Sequence, residues 1–185
     1  MELTRDELIR GLRQMGALLK ERGEPAGIRI VGGAAISLRH YERGPTKDID
    51  ASVHPSGPAL EVARAVAYEN TWADDWFNSA ATMFVPFAKT EWVPIFEDGD
   101  VGIWVASAPM LLAMKLRASR PGRDDRDIGT LMTICGVRSK SEAEDLYEQF
   151  YPGEILEPKA HRMLDVILRT GLPDLPSTPP PLDLG

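Results

Sequence analysis

One segment limits the folds open to this chain: Ile28 to Val53, IRIVGGAAISLRHYERGPTKDIDASV. An apolar run there meets Gly32-Gly33 and, after a short stretch of helical character, Asp48-Ile49-Asp50. Ile28 to Val31 is short, apolar and bounded by turn residues, which predicts a buried strand. The glycine pair lets the backbone turn sharply at its end and come close to a bulky group. Ala34 to Tyr41 then reads as a helix, and Asp48 to Val53 as a second strand.

The chemistry follows from that layout. Amides at the start of a helix point outward and meet its positive dipole end, so Gly32 and Gly33 suit an anion, above all a phosphate. Asp48 and Asp50 are two apart in an extended segment, so both carboxylates face one side while Ile49 faces the other. Two oxygen ligands on one face suit Mg²⁺, which binds through carboxylates, substrate phosphates and water. Arg43, Thr46 and Lys47, just upstream, are placed to neutralise or orient phosphate oxygens.

The whole chain bounds this reading. Its 185 residues suffice for one domain with a sizeable core and a small helical addition. A single cysteine, Cys135, excludes an internal disulfide, and His40, His54 and His161 are too scattered to form a zinc site. No apolar run approaches the ~20 residues that span a bilayer, and the N-terminal segment is amphipathic and charged, so no membrane partner is expected and the location is read as cytoplasmic. The formal net charge of −7 argues against generic nucleic-acid binding. Met110 to Lys140 runs the other way, with seven basic residues against three acids. Such a patch suits a polyphosphate or the end of an RNA.

In chain order, Thr4-Arg5-Asp6-Glu7 is a capping-box signature, and Leu8, Leu12, Met15 and Leu19 follow at helical spacing to about Lys20. After the segment above, a helix is expected from Pro58 to about Tyr68. Trp72 to Asn78 is read as aromatics anchoring a surface loop, and Met83 to Phe87 and Trp92 to Phe96 as strands near an edge. Asp98-Gly99-Asp100 turns into a strand, Val101 to Ala106. Helices follow over 110–119, 124–135, from Ser139 or Ser141 to about Phe150, and from Pro158 to about Arg169. From Leu172 the chain is proline-rich and without periodicity. The divisions read from this are 1–108 as core, 109–171 as a helical C-terminal part packed on it, and 172–185 as an extended or disordered tail.

A second group lies in KLRASRPGRDDRDI, Lys115 to Ile128. Lys115 sits among Leu111, Leu112, Met114 and Leu116, so it either snorkels outward or reaches a partner. Beyond an Arg-Pro-Gly break, Arg123-Asp124 and Asp127 put Asp124 and Asp127 on one face at a helix N-terminus.

Together GGAAISLRHYERGPTKDID and LLAMKLRASRPGRDDRDI resemble the nucleotidyltransferase-fold family that includes the AbiEii/AbiGii-type toxins of type IV toxin-antitoxin systems. The likeness spans roughly Ile28 to Tyr151 and is nearest to a short bacterial branch of unknown function. It implies an α/β (α+β), polymerase-β-like nucleotidyltransferase fold: a mixed β-sheet flanked by helices, with a C-terminal helical part. It implies that Gly32 and Gly33 hold the phosphates of a nucleoside triphosphate and that Asp48 and Asp50 bind Mg²⁺ or Mn²⁺. Lys115 would contact the triphosphate with Arg123 nearby, and Asp127 would be the late catalytic acid. Many members carry Ser after the glycines where this chain has Ala34, so Ser37, one turn later, is the substitute. Glu97 is the nearest candidate for a third carboxylate. The implied activity is transfer of a nucleoside monophosphate to a hydroxyl of tRNA, another RNA or a protein, with a cognate antitoxin as partner. The alternatives are an inactive nucleotide-binding regulator on the same fold and an enzyme that modifies a small molecule such as an antibiotic.

Overall fold

The capping box forms in full. The Thr4 hydroxyl accepts the Glu7 N–H, and the Glu7 carboxylate accepts the Thr4 N–H at 2.8 Å. This starts α1 (Arg5–Arg22), which Gly23 ends at φ 66°. The computed structural model describes residues 2–185, a mixed α/β chain. After α1 come β1 (Ala26–Val31), α2 (Gly32–Ala35) with a continuing π turn (Ile36–His40), β2 (Ile49–His54), α3 (Ser56–Asn70) and β3 (Phe77–Asn78). A 3₁₀ turn (Ala80–Phe84), β4 (Trp92–Asp98) and β5 (Val101–Ala106) follow, and then α4 (Ala108–Ala118), α5 (Asp125–Cys135), α6 (Lys140–Phe150) and α7 (Pro158–Thr170). Among the described residues no helix is long and apolar enough to cross a membrane.

The chain forms two compact units. The first runs to Met83 and adds Trp92–Ala106 and Thr178–Gly185. Its sheet has the order β3-β2-β1-β5-β4, with β1 antiparallel to β2 and parallel to β5. Ile28, Ile30, Ile49, Ala51, Ile103 and Val105 are buried on one face, against α1 and α3. Each of the isoleucines and the valine contributes roughly 1.5–3 kcal/mol by leaving water. Trp76 is fully buried beside α1, where a Cβ at Gly11 would lie 2.6 Å from its ring, and its Nε1–H donates to the Ala63 carbonyl at 2.8 Å. The last residues are extended and fastened: Arg5 donates to the Pro180 carbonyl at 2.6 Å, and Leu184 is buried.

The second unit is Phe84–Glu91 with Ser107–Ser177. Ser139 caps α6, and its partner Glu142 completes a second capping box. Leu131, Met132, Ala143, Tyr147, Phe150, Leu164 and Ile167 are buried in this unit.

One expected strand does not form. Met83 to Phe87 lies in the 3₁₀ turn and the irregular chain after it, and both Met83 and Phe87 are exposed. Local side-chain bonds outcompete β propensity here: Asn78 Oδ1 accepts the Ala80 N–H at 2.8 Å, and Thr82 Oγ1 donates to the Ser79 carbonyl at 2.7 Å. The helix expected from Ala34 begins at Gly32, and the strand expected from Asp48 begins at Ile49.

Candidate functional site

In the first unit the glycine pair and the carboxylates meet. Gly32 leaves β1 at φ 69°, the left-handed region that favours glycine. A Cβ there would lie 3.2 Å from Asp50 Oδ2. A Cβ on Gly33 would lie 2.9 Å from Thr46 Oγ1 and 3.1 Å from Arg43 Nη1. Both positions need a residue without a side chain, so that the start of α2 can pack against the carboxylate, the hydroxyl and the guanidinium. Thr46 is set by an isolated bridge to Leu3, in which the Leu3 N–H donates to Thr46 O at 2.6 Å and the Thr46 N–H to Leu3 O at 3.0 Å. Lys47 is exposed beside it.

Asp48 and Asp50 are held by one short segment. Asn78 Nδ2 donates to Asp48 Oδ2 at 3.2 Å, and the Ala81 N–H donates to Asp50 Oδ1 at 3.2 Å. Both carboxylates are half-buried, whereas Ile49 between them is fully buried. Asn78 and Ala81 escape a reading of the DID motif because they lie some thirty residues downstream. The signal for them is Asn78-Ser79, an Asx-turn pair next to the aromatic run.

This donor set fits Mg²⁺. Among the described residues no group of three or more His, Cys, Asp or Glu side chains is arranged to hold a metal alone. Mg²⁺ needs no such cage, because one or two carboxylates with substrate phosphates and water suffice.

Ser37 is buried on the π turn, and its carbonyl accepts Arg5 Nε–H at 3.1 Å. His40 Nε2 donates to the Ala106 carbonyl at 2.7 Å, and burial holds its pKa below the usual histidine value. Glu97 is not brought to the other acids. It pairs with Gly102, which is level with Gly27, and Gly27 is level with His54 at the far end of β2 from Asp50.

The second unit gathers Lys115, Arg120, Asp124 and Asp127 at the elbow between α4 and α5. Lys115 is 6% exposed; its ammonium lies 2.6 Å from Asp124 Oδ1 and 2.9 Å from Asp127 Oδ2. Arg120 adds its Nε–H to Asp124 Oδ2 at 2.8 Å and its backbone N–H at 3.1 Å. Burial alone would push the Asp124 carboxyl up, but the bonds from Arg120 and the charge of Lys115 outweigh it and hold the pKa at about 2. Lys115 thus reaches partners within its own unit. Arg123 is exposed on the turn before α5. No family model, curated protein or solved structure matches the chain.

Proposed function

We propose that this chain is a metal-dependent nucleotidyltransferase of the polymerase-β-like fold. It would move a nucleoside monophosphate from a nucleoside triphosphate to a hydroxyl of an RNA or protein, as an AbiEii-like toxin with a cognate antitoxin. The observation that carries the reading is the packing of Gly32 against Asp50, with Asp48 and Asp50 both tied to the segment 78–81.

Each residue then has a task. The Gly32 and Gly33 amides donate to the outer phosphates, and Arg43, Thr46 and Lys47 balance their charge. Asp48 and Asp50 hold Mg²⁺ or Mn²⁺, which when bound supplies positive charge to the phosphates and to the attacking oxygen. The acceptor oxygen bonds to the α-phosphorus in line with the departing pyrophosphate, and its proton is released to water.

Incubating the protein with each labelled triphosphate, total RNA and total protein tests the reading. Label should enter one pool, and Asp50→Ala should abolish incorporation without unfolding the chain. Full incorporation by that variant sinks the assignment. A second reading, nucleotide binding without turnover, draws on the position of Glu97 away from Asp50 and on the pairing of Lys115 with buried acids. It predicts Mg²⁺-dependent nucleotide binding with no incorporation into either pool.

A further inference from the structure

The sheet of the first unit carries more than carboxylates on the Asp50 face. Arg29 is level with Ser52 on one side and Trp104 on the other, Asp50 is level with Val31, and Trp92 with Ala106. Strand alternation therefore puts Asp50, Ser52, Arg29, Trp104 and Trp92 on one face, opposite the buried Ile28, Ile30 and Ala51. Arg29 is exposed, and Ser52, Trp92 and Trp104 are half-buried.

Two glycines explain how the rings lie. Gly27 and Gly102 are register partners on this face. A Cβ on Gly102 would overlap the six-membered ring of Trp104, and one on Gly27 would lie 3.7 Å from it. The indole lies down over bare backbone, as aromatic residues do beside sheet glycines, and stays half-buried. Arg29 reaches across β5 to stack over Trp92, 5.7 Å from the ring centre. A cavity of about 340 Å³ continues past Trp104, with His54, Glu97 and Asp100 in its lining.

Aromatic rings and a planar guanidinium laid along a sheet are a seat for nucleobases. Their place relative to Asp50 selects which base. The Gly32-Gly33 turn lies beyond the end of β1, where it would hold the departing phosphates. In-line displacement brings the acceptor from the side opposite the leaving group, which is along the sheet face. The row of Arg29, Ser52 and Trp104 is two residues from the Asp50 row, roughly 7 Å, a spacing on the scale of one nucleoside.

We propose that Trp104 and the Arg29–Trp92 stack seat the terminal base of a single-stranded RNA acceptor, an inference that rests on the nucleotidyltransferase reading above. Arg29 favours the adjoining phosphate, whereas Glu97 and Asp100 at the far rim repel a longer strand, so the seat takes an RNA end.

The test uses the whole chain and a short single-stranded oligoribonucleotide, intact or ending in an abasic ribose. Trp104→Ala should weaken binding of the intact probe roughly tenfold or more, the scale of one base–aromatic stack. The abasic probe should bind wild type weakly by a similar factor and lose nothing further in Trp104→Ala. Trp104→Phe, which keeps a ring over the glycines, should retain most of the affinity, and Arg29→Ala at an exposed position should show a smaller loss on both probes, because the abasic end keeps the adjoining phosphate. All these variants should keep Mg²⁺-dependent binding of inorganic tripolyphosphate. Absence of RNA binding, equal affinity for the two probes, or an equal loss on both in Trp104→Ala overturns the seat. Tripolyphosphate binding that is absent, or unaltered by Asp50→Asn, overturns the underlying nucleotidyltransferase reading instead.

Discussion

Replacing Gly32 by alanine separates what the turn does for the fold from what it does for the carboxylates. At φ 69° an L-residue is in the left-handed region, a cost of about 1–2 kcal/mol. The new Cβ would sit 3.2 Å from Asp50 Oδ2. That is closer than ordinary contact, so the carboxylate must give way while its other oxygen is held by the Ala81 N–H. For a chain of this size the stability loss amounts to about 2–8 °C in Tm. If Asp50 serves transfer as proposed, a shift of a few tenths of an ångström in its carboxylate should lower the rate by roughly several-fold, since a whole ångström costs on the order of a hundredfold. Gly44→Ala is the control, because a Cβ there meets nothing within 4 Å and its φ is not positive. Melting curves and labelled-nucleotide incorporation on the same preparations give both quantities. Transfer at the wild-type rate alongside the expected drop in Tm would refute the argument that the turn serves the carboxylates.

Lys115→Met leaves Asp124 and Asp127 buried beside an apolar side chain, and denaturant unfolding should register a loss of about 3–5 kcal/mol. Asp124, held at about 2 against an ordinary 3.8, contributes about 2 kcal/mol that is fully present above pH 3.8 and lost as pH falls through 2. Acid unfolding of Asp124→Asn should lack that dependence; an unchanged pH profile contradicts it. The Cys135 thiol is pushed up to about 12, by burial first and by the charge of Glu91 second. It should alkylate slowly at pH 8 in the folded protein and rapidly in denaturant, as mass spectrometry would record.

Local signals carried the reading furthest. Thr4 with Glu7 marks the start of α1, and the hairpin turn at Asp98-Gly99-Asp100 marks the start of β5 at Val101–Ala106. Gly32, Gly33 and Asp50 were legible together because a glycine turn and a carboxylate pair occur within one short span. What escaped depended on distant partners. Asn78 and Ala81 acquire their roles only once β3 pairs with β2 at Ile49–Phe77 and Asp50–Asn78. Glu97 looked available until the register set it level with Gly102. Met83 to Phe87 has strand composition, yet Asn78 and Ser79 wind the chain into a tight turn. Lys115 had two outcomes open, and the fold of the 120–124 turn, with Arg120 closing on Asp124, decides for an internal partner.

On the proposed function, Asp48 and Asp50 hold a metal-bound triphosphate against the Gly32-Gly33 turn. Calorimetric titration of the whole chain with a nucleoside triphosphate, in Mg²⁺ and then in chelator, addresses it most directly when repeated with Asp48→Asn and Asp50→Asn. Binding should require Mg²⁺ and weaken sharply in both variants while their melting curves stay near wild type. Binding of equal strength in chelator, or wild-type affinity in Asp50→Asn, would contradict it.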